Sequence, residues 1–104
     1  MIAQEFTPIT YAVSGTTITA GHVRNREIDL GENFTVTMLE EMPEAVRTNG
    51  TSMGTFRSGR FRLEGIGSAQ VLLDTDKGPF VLFTTETGRH YLFHYDPVFQ
   101  ALLE

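Results

Sequence analysis

Three histidines, four serines beside turns, two pairs of carboxylates and a run of arginines are the side chains in this chain with chemistry to offer. His90 and His94 share one strand face, but four extended residues separate them by about 13 Å. Two ligands of one zinc cannot stand that far apart when Zn–N bonds are roughly 2 Å. His22 belongs to a distant strand, so the expectation is surface histidines and no metal site. Cys is absent, which removes thiol chemistry and Cys-ligated zinc. Ser14, Ser52, Ser58 and Ser68 lie in or beside turns with no nucleophile-elbow sequence around them. Gly65-Ile66-Gly67 joins two strands, whereas a phosphate-cradling loop opens a helix. Glu40-Glu41 and Asp74/Asp76 read as solvated surface. No catalytic residue and no cofactor is expected, and the chain does not read as an enzyme.

The arginines carry more. Arg47, Arg57, Arg60 and Arg62 place four of the eight basic residues within sixteen positions. Arg60 and Arg62 share a strand face, and guanidinium forks match phosphate, carboxylate or an acidic protein surface. Arg57, Arg60 and Arg62 are therefore the candidate anion-binding set. The competing reading pairs these arginines with strand carboxylates such as Glu64 and Asp74, for little net stability. Tyr91, Phe93 and Tyr95 alternate with His90, Leu92 and His94, so the last strand is bulky on both faces. Most of these rings must form the core. Tyr91, Phe93 and Tyr95 are the candidate partner surface, with an unpaired edge beside them able to add to another chain's sheet.

The elements that must hold these residues are mostly strands. Eight Lys+Arg against thirteen Asp+Glu give a net charge of −5 over 104 residues. That balance argues against nonspecific nucleic-acid binding, which runs on cation–phosphate contacts. The length fits a single domain, 1–104, burying about 65% of the surface its unfolded chain would expose. Met1-Ile2-Ala3-Gln4-Glu5 does not read as a secretory signal, and no apolar run approaches the ~20 residues of a membrane-spanning helix. The cytoplasm is the default compartment, with membrane contact only as a peripheral or tethered domain.

Phe6 to Val13 and Thr16 to His22 read as a hairpin turned at Ser14-Gly15. Ile28 and Leu30 begin a third strand, and Phe34, Val36 and Met38 alternate in a fourth. Glu40 to Gly54 reads mostly as loop, with a helical turn near Glu44-Ala45-Val46. Thr55 to Glu64 resumes strand, with Gly59 bulging it. Ala69, Val71 and Leu73 face one way in the next. Phe80 to Thr85 is apolar on both faces and belongs in the middle of a sheet, before the strand from His90 to Tyr95. Asp96-Pro97 then opens a helix over 97–103, carrying Phe99, Leu102 and Leu103 as one stripe.

This order resembles the pleckstrin-homology fold, and its local wording is similar to small bacterial PH-like domains. The likeness lies in Arg47-Thr48-Asn49-Gly50, Gly59-Arg60-Phe61, Thr84 to Gly88 before Tyr91, and Asp96-Pro97 with Phe99. It implies an all-β PH-like barrel of about seven antiparallel strands in two packed sheets, with one C-terminal α-helix plugging an open end. Phosphoinositide-binding relatives use Lys and Arg around the first hairpin loop. Here that loop is Ser14-Gly15-Thr16-Thr17, with no basic residue before Arg24. Other PH-like domains bind proteins or self-assemble. The expectation is thus a non-catalytic protein-interaction or self-assembly module, possible homo-oligomers included. Anion or lipid-headgroup binding through the arginine-rich strand and loop is the alternative.

Overall fold

The structure, a computed structural model, describes residues 9–21, 25–53, 56–73 and 77–103. Nine strands precede a short helical segment: β1 Thr10–Ser14, β2 Thr17–Gly21, β3 Asn25–Asp29, β4 Phe34–Leu39, β5 Ala45–Met53, β6 Phe56–Leu63, β7 Gly67–Leu73, β8 Phe80–Thr85 and β9 His90–His94. A 3₁₀ turn, Pro97–Phe99, leads into α1, Gln100–Leu103. The strands form a three-stranded sheet, β1-β2-β3, and a six-stranded sheet, β4-β8-β9-β7-β6-β5. The expected start of the first strand at Phe6, together with His22, Arg24 and the Asp74/Asp76 pair, falls outside the described residues, which take that strand up at β1.

Local chemistry explains most of the elements. β1 and β2 pair antiparallel from Thr10↔Gly21 to Ser14↔Thr17, and Gly15 takes the positive φ (62°) that the tight turn requires. Thr17, Ile18 and Thr19 supply the branched side chains that suit a pleated surface. At the other end, the Asp96 carboxylate accepts from the Val98 N–H at 3.0 Å, and Pro97 occupies the first helical turn, where its missing N–H costs nothing.

Several expectations are corrected. The described residues form nine strands, against the expected count of about seven. Residues 45–53 are not loop: β5 pairs with β6 from Ala45↔Leu63 to Met53↔Phe56. The turn-type residues Asn49, Gly50 and Ser52 are tolerated because β5 is an edge strand, laddered on one side only. Gly59, expected to bulge or bend β6, keeps its pairing with Gly50 and takes a φ of 131°, while the register shift lies on β5 between Arg47 and Asn49; the Thr48 hydroxyl there donates to the Arg60 carbonyl at 3.0 Å. The sheets are also not purely antiparallel. β7 and β9 run parallel, Ala69↔His90 through Leu72↔Phe93, because β9 inserts between β7 and its own hairpin partner β8.

Two apolar cores lie on opposite faces of the larger sheet. The first fills the space between the sheets: Ile18, Ala20, Ile28 and Leu30 meet Val81, Phe83, Tyr91 and Phe93, with Phe99 set among them. The second gathers Phe61, Leu63, Ala69, Val71, Leu73, Phe80, Leu82 and Leu92. All of its members come from the larger sheet, with Met42 and Ile66 from connecting segments packed against them. The sheet therefore curls on itself, as twisted sheets of this size do, yet it is not a closed barrel, since among the described residues β4 and β5 end it as unpaired edges. The expected central place of β8 follows from this double burial, with Phe80, Val81, Leu82 and Phe83 all in a core.

Candidate functional site

The aromatic surface expected on the last strand is not there. Tyr91 is 8% exposed and Phe93 2% exposed, both in the inter-sheet core. β9 is flanked by β8 on one side and β7 on the other, so it offers no free edge either. Both faces are bulky because both face a core: Tyr91 and Phe93 enter the first and Leu92 the second. Tyr95 alone of the three is half-buried, and its hydroxyl donates to the Gln100 side-chain oxygen at 3.0 Å.

The arginine set divides. Arg57 stands opposite Leu73 in the β6–β7 register, on the face of Phe61 and Leu63. It lines a groove of about 620 Å³ with Glu40, Glu41, Met42, Glu44 and Lys77, and its Nη1 is buried without a hydrogen-bond partner. Arg60 and Arg62 occupy the opposite face, as their spacing predicts, and both are exposed. Arg57 therefore cannot join them around one ligand.

What the fold brings to Arg60 comes from elsewhere in the chain. Arg60 pairs with Gln70 across β6 and β7, Gln70 with Tyr91, and Tyr91 with Phe83. This row lies on the face turned toward the smaller sheet, so Arg60 and Gln70 continue the inter-sheet surface beyond the apolar core. Arg26 does the same from the opposing sheet. It pairs with Ala20 and lies two residues before Ile28, both inward-facing core residues, and its Nη1 donates to the Gln70 Oε1 at 3.4 Å. Arg89, in the β8–β9 turn, completes the group. Arg60, Ser68, Gln70, Arg89, His90 and Tyr91 line one open cavity of about 360 Å³. His90 is half-buried, with its Nδ1 2.8 Å from the Thr84 hydroxyl.

The ion pairs that would have neutralised these arginines are absent among the described residues: none joins Arg26, Arg60, Arg62 or Arg89 to a carboxylate. Asp29 and Glu86, which line an adjoining cavity with Arg89, hold hydrogen bonds to other groups. Asp29 Oδ1 accepts from the Gly31 N–H at 3.0 Å, and Glu86 Oε1 accepts from the Asn33 amide at 3.3 Å. Arg26 was legible as an inward residue from its spacing to Ile28. Arg89 and Gln70 carried no such signal, because only the strand pairing brings them to Arg60. No group of three or more metal-ligating side chains occurs among the described residues, and none of their helices is long and apolar enough to cross a membrane.

The second candidate is an edge. Among the described residues, β4 ends the larger sheet, paired with β8 alone. Its sequence Phe34-Thr35-Val36-Thr37-Met38-Leu39 contains no charge, proline or glycine. Thr35, Thr37 and Met38 are exposed, Met38 to 45%. Compared with known family models, curated proteins and solved structures, the chain matches none.

Proposed function

We propose that this chain is a non-catalytic interaction module that takes an extended segment of a protein partner, or of a second copy of itself, along the free edge of β4. The observation that carries this reading is the character of that edge. Natural sheet edges are usually blunted by charges, proline or bulges, because a bare row of N–H and C=O groups templates a further strand. The opposite edge, β5, has its bulge between Arg47 and Asn49. β4 has none of these devices over six residues, and strand addition at such an edge draws affinity from backbone hydrogen bonds. Two sheets meeting over a core into which the C-terminal Phe99 inserts are the features that support a PH-like plan.

The test is absolute molar mass by light scattering over a hundredfold concentration range, on the wild type and a Thr35→Lys/Thr37→Lys variant. Both positions are exposed, so the variant is expected to stay folded. A wild-type mass above 11.6 kDa that falls to the monomer in the variant identifies the partner as a second copy. A monomeric wild type directs the search to other proteins, whose binding must then protect the β4 amides from hydrogen exchange. Association that leaves those amides unprotected, or that the two lysines do not weaken, overturns the reading.

A further inference from the structure

We infer that the cavity lined by Arg60, Gln70 and Arg89 on the larger sheet, whose Gln70 is reached by Arg26 from the smaller sheet, is a binding site for a phosphate monoester dianion. The inference is independent of strand addition at β4, since the cavity spans β6, β7 and β9 while β4 is the far edge of the same sheet.

Three observations converge. The first is placement. Arg26 and Arg60 come from facing sheets, on the inward sides of both, and are set around one amide: Arg26 hydrogen-bonds Gln70 and Arg60 pairs with it in register. Side chains turned toward an inter-sheet space are ordinarily apolar. Here the core gives way at its margin to cationic groups, which the packing of the sheets does not itself require.

The second is charge. The chain carries −5 overall, yet Arg60 and Arg89 line one cavity and Arg26 reaches its Gln70, with no described carboxylate paired to any of the three. Asp29 and Glu86 border the adjoining cavity that also includes Arg89 and Tyr91, but each accepts a hydrogen bond from another group. Grouped like charges repel, and the repulsion is relieved when an anion occupies the space between them.

The third is chemical fit. Guanidinium is a donor-only fork that matches phosphate oxygens in pairs, and Ser68 and Gln70 add neutral donors to the same wall. A carboxylate offers one charge and two oxygens, whereas a phosphate monoester offers two charges and three terminal oxygens to Arg60, Arg89 and the adjoining Arg26. A volume of about 360 Å³ admits the phosphoryl group with part of the molecule that bears it. The site lies on β6, β7 and the β8–β9 turn, away from the Ser14-Gly15-Thr16-Thr17 hairpin loop.

The experiment is a titration of the ¹⁵N-labelled full chain with inorganic phosphate at pH 7, with sodium chloride holding ionic strength constant. The arginine Nε–H signals are followed throughout. The signals of Arg26, Arg60 and Arg89 are expected to move together on one binding curve while that of Arg57, on the other face, stays in place. Arg60→Gln/Arg89→Gln is expected to weaken binding at least tenfold, with the amide spectrum of the β8 core unchanged. Signals that do not respond to phosphate, that respond equally at Arg57, or a double variant that binds as the wild type does, overturn the inference. A second arm separates the sources of the group. Retention on phosphatidic acid vesicles and not on phosphatidylcholine vesicles, lost in the double variant, identifies a lipid headgroup. Phosphate binding without retention identifies a soluble monoester.

Discussion

Tyr11 reaches from the smaller sheet into the seam of the larger one. Its hydroxyl donates to the Leu72 carbonyl at 2.7 Å and accepts from the His94 N–H at 3.3 Å. Those backbone groups lie at the point where the parallel β7–β9 ladder ends, at Leu72↔Phe93. One phenol thus satisfies polar groups that the separating strands leave behind, while its ring packs on Phe93 and Phe99 at 5.4 and 5.1 Å between centroids. Tyr11→Phe keeps the ring and removes both bonds, so the expected cost is about 1–3 kcal/mol. The His94 amide should lose protection in hydrogen exchange more than the global stability change explains. Protection that falls only with global stability would exclude the bridge. The sequence placed Tyr11 within the first expected strand. The hydroxyl's role was not legible, because it depends on which distant strands diverge beside it. The arginines carry a related lesson. Alternation already separated Arg57 from Arg60 and Arg62, and grouping them by nearness in sequence overrode it.

At the scale of elements, the C-terminal segment is short and yet well anchored. A 3₁₀ turn followed by four α-helical residues has no stability of its own. It is held by Phe99, fully buried, with ring centroids 5.4 Å from Phe83 and 5.8 Å from Phe93. Phe99→Ala is expected to cost about 3–5 kcal/mol, lowering the melting temperature by more than about 10 °C in a domain of this size. The amides of 97–103 should exchange freely at temperatures where β8 remains protected. A melting temperature within a degree or two of wild type would show that the segment is not held this way. This element was readable because its signals are local: a capping Asp, a Pro and apolar residues at i, i+3 and i+4. β5 was not readable for the converse reason. Its Asn49, Gly50 and Ser52 are turn residues by local preference, and tertiary pairing with β6 overrides that preference.

Across the whole molecule, the two cores are not separate units, because the same strands build both. Val81 and Phe83 enter one core while Phe80 and Leu82 enter the other, and Leu92 and Phe93 divide likewise on β9. Unfolding either core exposes strands that the other needs, so the chain should melt in one cooperative transition. Far-ultraviolet and tyrosine near-ultraviolet dichroism should give coincident curves, and Leu92→Ala and Phe93→Ala should each shift that single transition downward. Two resolved transitions would contradict the shared-strand account. The strand order that creates this coupling left no trace in the sequence, since hairpin signals link neighbours along the chain and say nothing of a strand inserted between two others. That insertion also sets a timetable. Synthesis releases β9 last of the nine strands, yet β9 is an inner strand of the larger sheet. Until residues 90–94 leave the ribosome, β7 and β8 each present a bare ladder, and both cores lack a member. A chain stalled before His90 is therefore the species most exposed to borrowing a strand from a neighbour.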